Sequence, residues 1–184
     1  LFFDKTGTLT TGQVALAKTV VANDGDASAE TLLQYAISLE KHSEHPLARS
    51  LEIAAAKRGI MPLPATNFRA KPGIGIVGTV ASHDLFVGSW RLVDQLAADL
   101  PTDLQAARTR LDAAGLRTVF VGWDGVVQGL FGLRDEIRPN AITALSTLKQ
   151  HGINVAVLTG DSAAAGDALG ERLGIAVHSE LLPT

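Results

Sequence analysis

Two short apolar segments, Leu1–Phe3 and Ile153–Leu158, each run directly into a polar loop that carries an aspartate, and this pairing restricts the fold more than any other feature. The first loop reads Asp4-Lys5-Thr6-Gly7-Thr8-Leu9-Thr10, and the second reads Thr159-Gly160-Asp161-Ser162. Leu1–Phe3 reads as the end of a buried strand. Ile153–Leu158 predicts a strand buried on both faces. A helix starting at Pro139 and running to about His151, stopped by Gly152, precedes that strand, and another helix to about Leu173 follows the second loop. Helix, strand and helix in this order belong to a parallel α/β sheet, and such sheets place their chemistry at the carboxyl ends of the strands.

The middle of the chain follows different rules. Asp4 to Gly12 reads as a polar loop and Val14 to Val21 as a strand. Ser28 can cap a helix to about Leu39, with Leu32, Leu33, Ala36 and Ile37 on one face. Pro46 suits the first turn of a second helix to about Arg58, with Leu47, Leu51, Ala54 and Ala55 inward and Gly59 ending it. Residues 66–88 alternate, with a turn expected near Ser82-His83-Asp84. Thr102-Asp103-Leu104-Gln105 has the form of a capping box, opening a helix that Gly115 closes. Asp124-Gly125, between Thr118–Trp123 and Val126–Leu133, is a strong hairpin signal. The expected fold class is α/β: a Rossmann-like domain made of residues 1–12 and 133–184, interrupted by an α+β domain with an antiparallel sheet at 13–132.

Composition excludes more than it assigns. The 184 residues are 46% hydrophobic and carry a net charge of -3, which fits a globular chain and offers no basic field for nucleic acid. The absence of cysteine rules out disulfides and thiolate metal sites within this stretch. No apolar run approaches the roughly 20 residues needed to span a bilayer. The opening on Leu1-Phe2-Phe3-Asp4, without an initiator Met, leads us to expect a natural protein that begins earlier.

Asp4 is the candidate nucleophile. A carboxylate can attack a phosphoryl group to form an aspartyl-phosphate. Gly7 allows a tight backbone, and amides beside Thr6 and Thr8 can hold phosphate oxygens. The heptapeptide from Asp4 to Thr10 resembles the signature of P-type ATPases, which belong to the haloacid dehalogenase-like superfamily, and the resemblance runs along essentially the whole chain. It implies a phosphorylation domain of that superfamily, here truncated, with an inserted nucleotide-binding domain. Thr159-Gly160-Asp161 resembles the second phosphate-site loop, in which the Thr contacts the phosphoryl group and the Asp organises the site. Asp135-Glu136-Ile137-Arg138-Pro139 resembles the hinge where the chain re-enters the phosphorylation domain. The resemblance thus makes Asp4, Lys5, Thr6, Thr159, Gly160 and Asp161 catalytic candidates. It also implies Mg2+ held by Asp4 and by the Thr6 backbone carbonyl, with ATP as substrate. Phosphatases of the superfamily usually carry a second Asp two residues after the nucleophile as general acid and base. Thr6 stands there instead, which fits a longer-lived phosphoenzyme.

Ser43-Glu44-His45-Pro46-Leu47 resembles the motif of the heavy-metal branch. The resemblance puts His45 against adenine and Glu40 at its edge, with Glu44 a lesser candidate. Read from the residues alone, His45 is a helix-start residue before Pro46. Gly73-Ile74-Gly75-Ile76-Val77-Gly78 matches Gly-x-Gly-x-x-Gly, yet Thr79-Val80-Ala81 continues a strand, so a dinucleotide fingerprint is rejected. The residues alone give a glycine-rich bulge; the resemblance gives close backbone approach to nucleotide at Gly73 and Gly75. Gly88-Ser89 resembles a Gly-Asn pair of this branch, with Ser replacing Asn. His42 with His45 is a weak metal pair, His83 a turn residue, and His151 a helix C-terminal residue.

The expected function is therefore the ATP-binding and phosphorylation region of a P-type ATPase that moves heavy-metal cations, copper first and zinc or cadmium next. Its partners would be the transported ion and the actuator and membrane domains of the same protein, at the cytoplasmic face of a membrane. The family's phosphate-site Lys and its Gly-Asp-Gly-x-Asn-Asp loop would lie beyond Thr184, leaving this stretch catalytically incomplete. Two rival readings fit the same residues: a soluble phosphatase of the superfamily, and a non-catalytic nucleotide-binding module.

Overall fold

The computed structural model describes residues 1–25, 27–41, 43 and 46–181. Its strands form two sheets. A parallel sheet has the order β1-β8-β9, from β1 (Phe2–Asp4), β8 (Ala156–Leu158) and β9 (Ala176–His178). An antiparallel sheet has the order β2-β7-β6-β5-β4-β3. Its members are β2 (Thr10–Val21), β3 (Ala65–Lys71), β4 (Gly75–Val80), β5 (His83–Gly88), β6 (Arg117–Trp123) and β7 (Val126–Ile137). The long strands β2 and β7 lead out of and back into the parallel sheet, and Thr10 pairs with Ile137 where they meet it. The expected limits at residues 12/13 and 132/133 thus fall inside β2 and β7.

Alternation along the antiparallel strands makes two cores, because successive side chains point to opposite faces. Val87, Val119, Val121 and Phe131 pack on one face against Leu32, Leu33, Ala36, Leu47 and Leu51. Those partners come from helices α1 (Ala29–Glu40) and α2 (Pro46–Ala56). Phe86, Phe120 and Leu130 pack on the other face against Leu92, Leu104 and Leu111. These belong to helices α3 (Trp90–Gln95) and α4 (Thr102–Ala113). Each such leucine, fully buried, contributes about 1.5–3 kcal/mol. A third, smaller core joins Phe3, Val157 and Val177 to Leu145 and Leu148 of α5 (Ala141–Gln150) and to Leu169 and Leu173 of α6 (Ala163–Leu173).

Several local expectations hold. Ser28 Oγ accepts from Thr31 N at 3.0 Å, capping α1. His151 caps α5, its Nδ1 2.8 Å from Thr147 O. Asp124 and Gly125 both have positive φ, 53° and 81°, as the β6–β7 turn requires.

Others are corrected. The Lys5–Leu9 turn is short and β2 already begins at Thr10, so Gly12 (φ 77°) sits at a bulge within the strand rather than in a loop. The β4–β5 turn is Ala81-Ser82, and His83 already belongs to β5. Thr102 does not cap α4: the cap position is Pro101, with no side-chain cap bond, and Asp103 Oδ2 accepts from Asn23 N instead. Helix α5 starts at Ala141, after Pro139 and Asn140 have turned. The strand expected over Ile153–Leu158 is only Ala156–Leu158, interrupted upstream by polar Asn154. It is not buried on both faces, since Ile153 is 40% exposed and Leu158 37%.

Candidate functional site

The parallel register of β1 and β8 pairs Asp4 with Leu158, so Asp4 and Thr159 leave neighbouring strands at the same edge. Gly7 reverses the chain with φ 78°, which an L side chain adopts only at a cost. Thr10 ties the turn together: its Oγ1 donates to Lys5 O and accepts from Gly7 N, both at 3.3 Å. Arg138 reinforces it from the hinge, its Nη2 donating to Gly7 O at 2.9 Å and its amide to Leu9 O at 2.9 Å. These bonds leave Asp4, Thr6 and Thr8 exposed and bury Lys5.

Lys5 Nζ is hydrogen-bonded and ion-paired to both Asp135 and Asp161. Burial alone would lower the Lys5 pKa, but the bonds and charges of Asp135 and Asp161 outweigh it and raise the value. The Lys5 charge is therefore committed to these carboxylates. Arg117 Nη2 adds a 3.3 Å contact to Asp135 Oδ1, so Asp135 links β6 and β7 of the large sheet to the turn and to the loop after β8. Thr159 is buried, donates its amide to His178 O and accepts from Asp161 N through Oγ1 at 3.2 Å.

The structure thus brings Asp4, Lys5, Thr6, Thr159, Gly160 and Asp161 together at one sheet edge. Sequence reading placed Asp135 and Arg138 in a hinge but gave neither a bonding role. The signal available was the charge alternation Asp135-Glu136-Ile137-Arg138 at a re-entry point.

The described nucleotide candidates, Glu40, Gly73, Gly75 and Gly88, lie on the antiparallel sheet, its turns and the helix that covers it. Helix α1 crosses β4 and β5, and Glu40 is on its last turn. Glu40 is only 3% exposed, and its Oε2 has no hydrogen-bond partner among the described residues. Burial pushes its pKa up to about 6, partly offset by a hydrogen bond with Ser43. His45, with Glu44 and His42, lies outside the described residues.

The three glycines divide. Gly73 (φ 71°) has no described residue within 4 Å of a Cβ placed there. Gly75 and Gly88 are cross-strand partners pressed together. A Cβ on Gly75 would meet Val87 O at 2.4 Å and Gly88 Cα at 2.6 Å; one on Gly88 would meet Ile74 O at 2.5 Å. The protein's own backbone therefore accounts for glycine at 75 and 88. Ser89 helps hold this corner, its Oγ donating to Ile74 O at 3.0 Å and its amide to the same oxygen at 2.8 Å.

An exposed aspartate at the carboxyl end of a parallel strand, beside a threonine loop from the next strand, has the chemistry needed to attack a phosphoryl group. The chain belongs to the haloacid dehalogenase-like hydrolase family, whose model matches residues 1–182. It is 35% identical over its full length to a probable copper-transporting ATPase, PacS, of Synechococcus elongatus. It is 36% identical over 181 residues to copper-transporting ATPase 1 of Rhizobium meliloti. The chain spans about a quarter of these relatives, 24% and 22% of their lengths. Among solved structures it superposes on a zinc-transporting PIB-type ATPase in an E2.Pi state with TM-score 0.83 and 31% identity, covering 99% of this chain and 29% of that one. It also superposes on the catalytic domain of the CPx-ATPase CopB-B with TM-score 0.70 and 25% identity, covering 98% of this chain and 61% of that one.

Proposed function

We propose that this chain is the ATP-binding and phosphorylation region of a P-type ATPase that moves a heavy-metal cation across a membrane. The observation that carries the reading is the exposed Asp4 beside the Thr159 loop, with Lys5 ion-paired to Asp135 and Asp161. Asp4 is the nucleophile toward the γ-phosphoryl group of ATP. Lys5 keeps the turn and the Asp161 loop in register, and the Thr159 hydroxyl bonds a phosphoryl oxygen. Residues 13–132 deliver the nucleotide, with Glu40 and His45 at the base and open Gly73 near the phosphates; residues 1–12 and 133–184 accept the phosphoryl group.

Asp4 and Thr6 are both exposed in the turn, and a carboxylate and a backbone carbonyl are hard oxygen donors of the kind Mg2+ takes alongside substrate phosphates. Bound there, Mg2+ supplies charge neutralisation at the transferring group. The relatives favour copper as cargo, and the likeness to a zinc transporter keeps zinc as the second reading. Membrane helices and an actuator domain of the same protein, at the cytoplasmic face, would complete the cycle. Among the described residues no helix is long and apolar enough to cross a membrane.

The test is phosphoenzyme formation in the full-length protein. ATP with Mg2+ should give an acid-stable, hydroxylamine-sensitive label that Asp4→Asn abolishes while ATP binding persists. Labelling that survives Asp4→Asn moves the nucleophile elsewhere. Rapid release of phosphate from small phosphoesters, with no preference for ATP, supports a phosphatase instead.

A further inference from the structure

A cavity of about 650 Å³ opens near the end of β2, lined in part by Tyr35, His83, Trp123, Asp24, Asp99 and Asp103. Strand β2 starts at Thr10 and ends at Val21. At about 3.3 Å per residue the cavity is roughly 35 Å from the Asp4 turn. It also lies at the His83 end of β5, away from Gly88. Neither the phosphorylation loop nor the glycine corner uses it.

Two features of its wall act together. Tyr35, His83 and Trp123 form a half-buried aromatic group, with ring centroids 5.1 Å apart for Tyr35–Trp123, 6.0 Å for Tyr35–His83 and 6.2 Å for His83–Trp123. Asp124 fixes the His83 ring from outside the cavity, Oδ2 to Nδ1 at 2.5 Å, and accepts the Asp84 amide on Oδ1. The carboxylates of Asp24, Asp99 and Asp103 enter no ion pair among the described residues, and no Lys or Arg is among the described lining residues. Asp103 Oδ2 accepts from Asn23 N, which leaves its other oxygen available.

The carboxylates do not converge on a point. No group of three or more His, Cys, Asp or Glu side chains close enough to hold a metal ion occurs among the described residues. Negative charge spread around an aromatic wall suits a cation whose charges are themselves separated and joined by apolar stems. Aromatic faces attract ammonium groups, and methylene stems bury against the same rings.

We propose that this cavity is a binding site for a flexible aliphatic polyamine, with ammonium groups held between the ring faces of Tyr35 and Trp123 and the carboxylates of Asp24, Asp99 and Asp103, and methylene stems along the same rings.

Spermidine is the probe, titrated into the 184-residue chain at constant ionic strength and followed by calorimetry and by fluorescence. Trp123 is the reporter, after Trp90→Phe removes the other tryptophan. Saturable binding that Tyr35→Leu weakens about three- to thirtyfold supports the site. Asp24→Asn and Asp99→Asn, which are surface changes that leave the core intact, should each weaken it about two- to fivefold. A tetralysine peptide in parallel separates sources: weaker binding than spermidine assigns the site to a free polyamine, and tighter binding assigns the same chemistry to a lysine-rich segment. The proposal is overturned if spermidine gives no saturable signal, if Mg2+ at matched ionic strength reproduces the signal, or if the folded variants bind as tightly as the parent.

Discussion

The six-stranded sheet is covered on both faces by helix pairs, whereas the three-stranded sheet buries one face and leaves the other open. Phe2 shows the contrast at a single strand: it is 65% exposed while its neighbour Phe3 joins the core. The two sheets also treat their loops differently. The glycine corner of the large sheet is locked by backbone against backbone at Gly75 and Gly88. The aspartate turn of the small sheet is held by polar and charged bonds through Thr10, Arg138 and Lys5. A packed corner excludes added side chains by contact with backbone, and a turn held by charges depends on those charges staying paired. The difference predicts unequal tolerance to substitution.

The largest effect is expected at Gly75. Gly75→Val combines overpacking against backbone with a φ of 152° that L residues rarely adopt, and should cost about 4 kcal/mol. The counterpart beside the small sheet is Gly160→Ala, in the loop after β8, whose Cβ meets Leu181 O at 3.1 Å and no other described residue within 4 Å. Its cost should stay under about 1 kcal/mol, the scale of an ordinary surface change. Urea denaturation of both variants decides, and equal costs would erase the contrast.

Next comes Lys5, which joins the two sheets. Lys5→Met leaves Asp135 and Asp161 with uncompensated charge. Losing one partner of a buried pair costs about 3–5 kcal/mol, and the low end, about 3, applies because both carboxylates keep some solvent. Adding Asp135→Asn to Lys5→Met should recover part of that loss, a non-additivity expected only if the pair interacts in the folded chain. Strict additivity would show that the bridge contributes nothing.

Much of this arrangement is legible in the sequence. The Asp4 heptapeptide and the Thr159 loop are local patterns, and parallel pairing of β1 with β8 brings them together as the helix–strand–helix order implies. The Asp124-Gly125 turn and the Ser28 cap depend on nearest neighbours, so sequence specified them. What sequence could not supply were long-range pairings. Lys5 meets Asp135 and Asp161 across 130 and 156 residues, and no local rule links them. The glycines depend on long-range pairing for the same reason. Sequence grouped Gly73 with Gly75, and only the β4–β5 register shows that Gly75 instead touches Gly88, while Gly73 is clear of the other described residues. Ile153–Leu158 was read as doubly buried on apolar content, but burial depends on what covers each face.

Glu40 offers a sharper probe of the large sheet through pH. Its pKa rises from 4.5 to about 6 on folding, so the native state favours the protonated form. Between those values the folded chain holds a proton that the unfolded chain has released. Stability from this group is thus greatest below pH 4.5, falls as pH rises toward 6 and is flat above it. The shift corresponds to about 2 kcal/mol. Glu40→Gln should remove this slope, so the stability difference between variant and parent should change across that window and stay constant from pH 7 to 8. A constant difference at all pH values would mean that the buried carboxylate does not titrate as its surroundings require.

The smallest effects lie at helix starts, where the two sheets can be compared residue for residue. Ser28 caps α1 with a 3.0 Å bond to Thr31 N, and Ser162 caps α6 with a 3.4 Å bond to Ala165 N. Thr102 begins α4 without a cap bond. Loss of a capping hydroxyl typically costs about 1 kcal/mol, because a buried or half-buried amide loses its acceptor. Ser28→Ala should therefore cost about 1 kcal/mol, and Ser162→Ala, with its longer bond, about 0.5. Thr102→Ala should change stability by less than about 0.3 kcal/mol, since alanine is the better helix former and no bond is lost. The three variants share one chemistry, so their ranking tests geometry rather than residue type. If Thr102→Ala proved as costly as Ser28→Ala, the capping-box reading of Thr102 would be restored and the cap at Pro101 rejected.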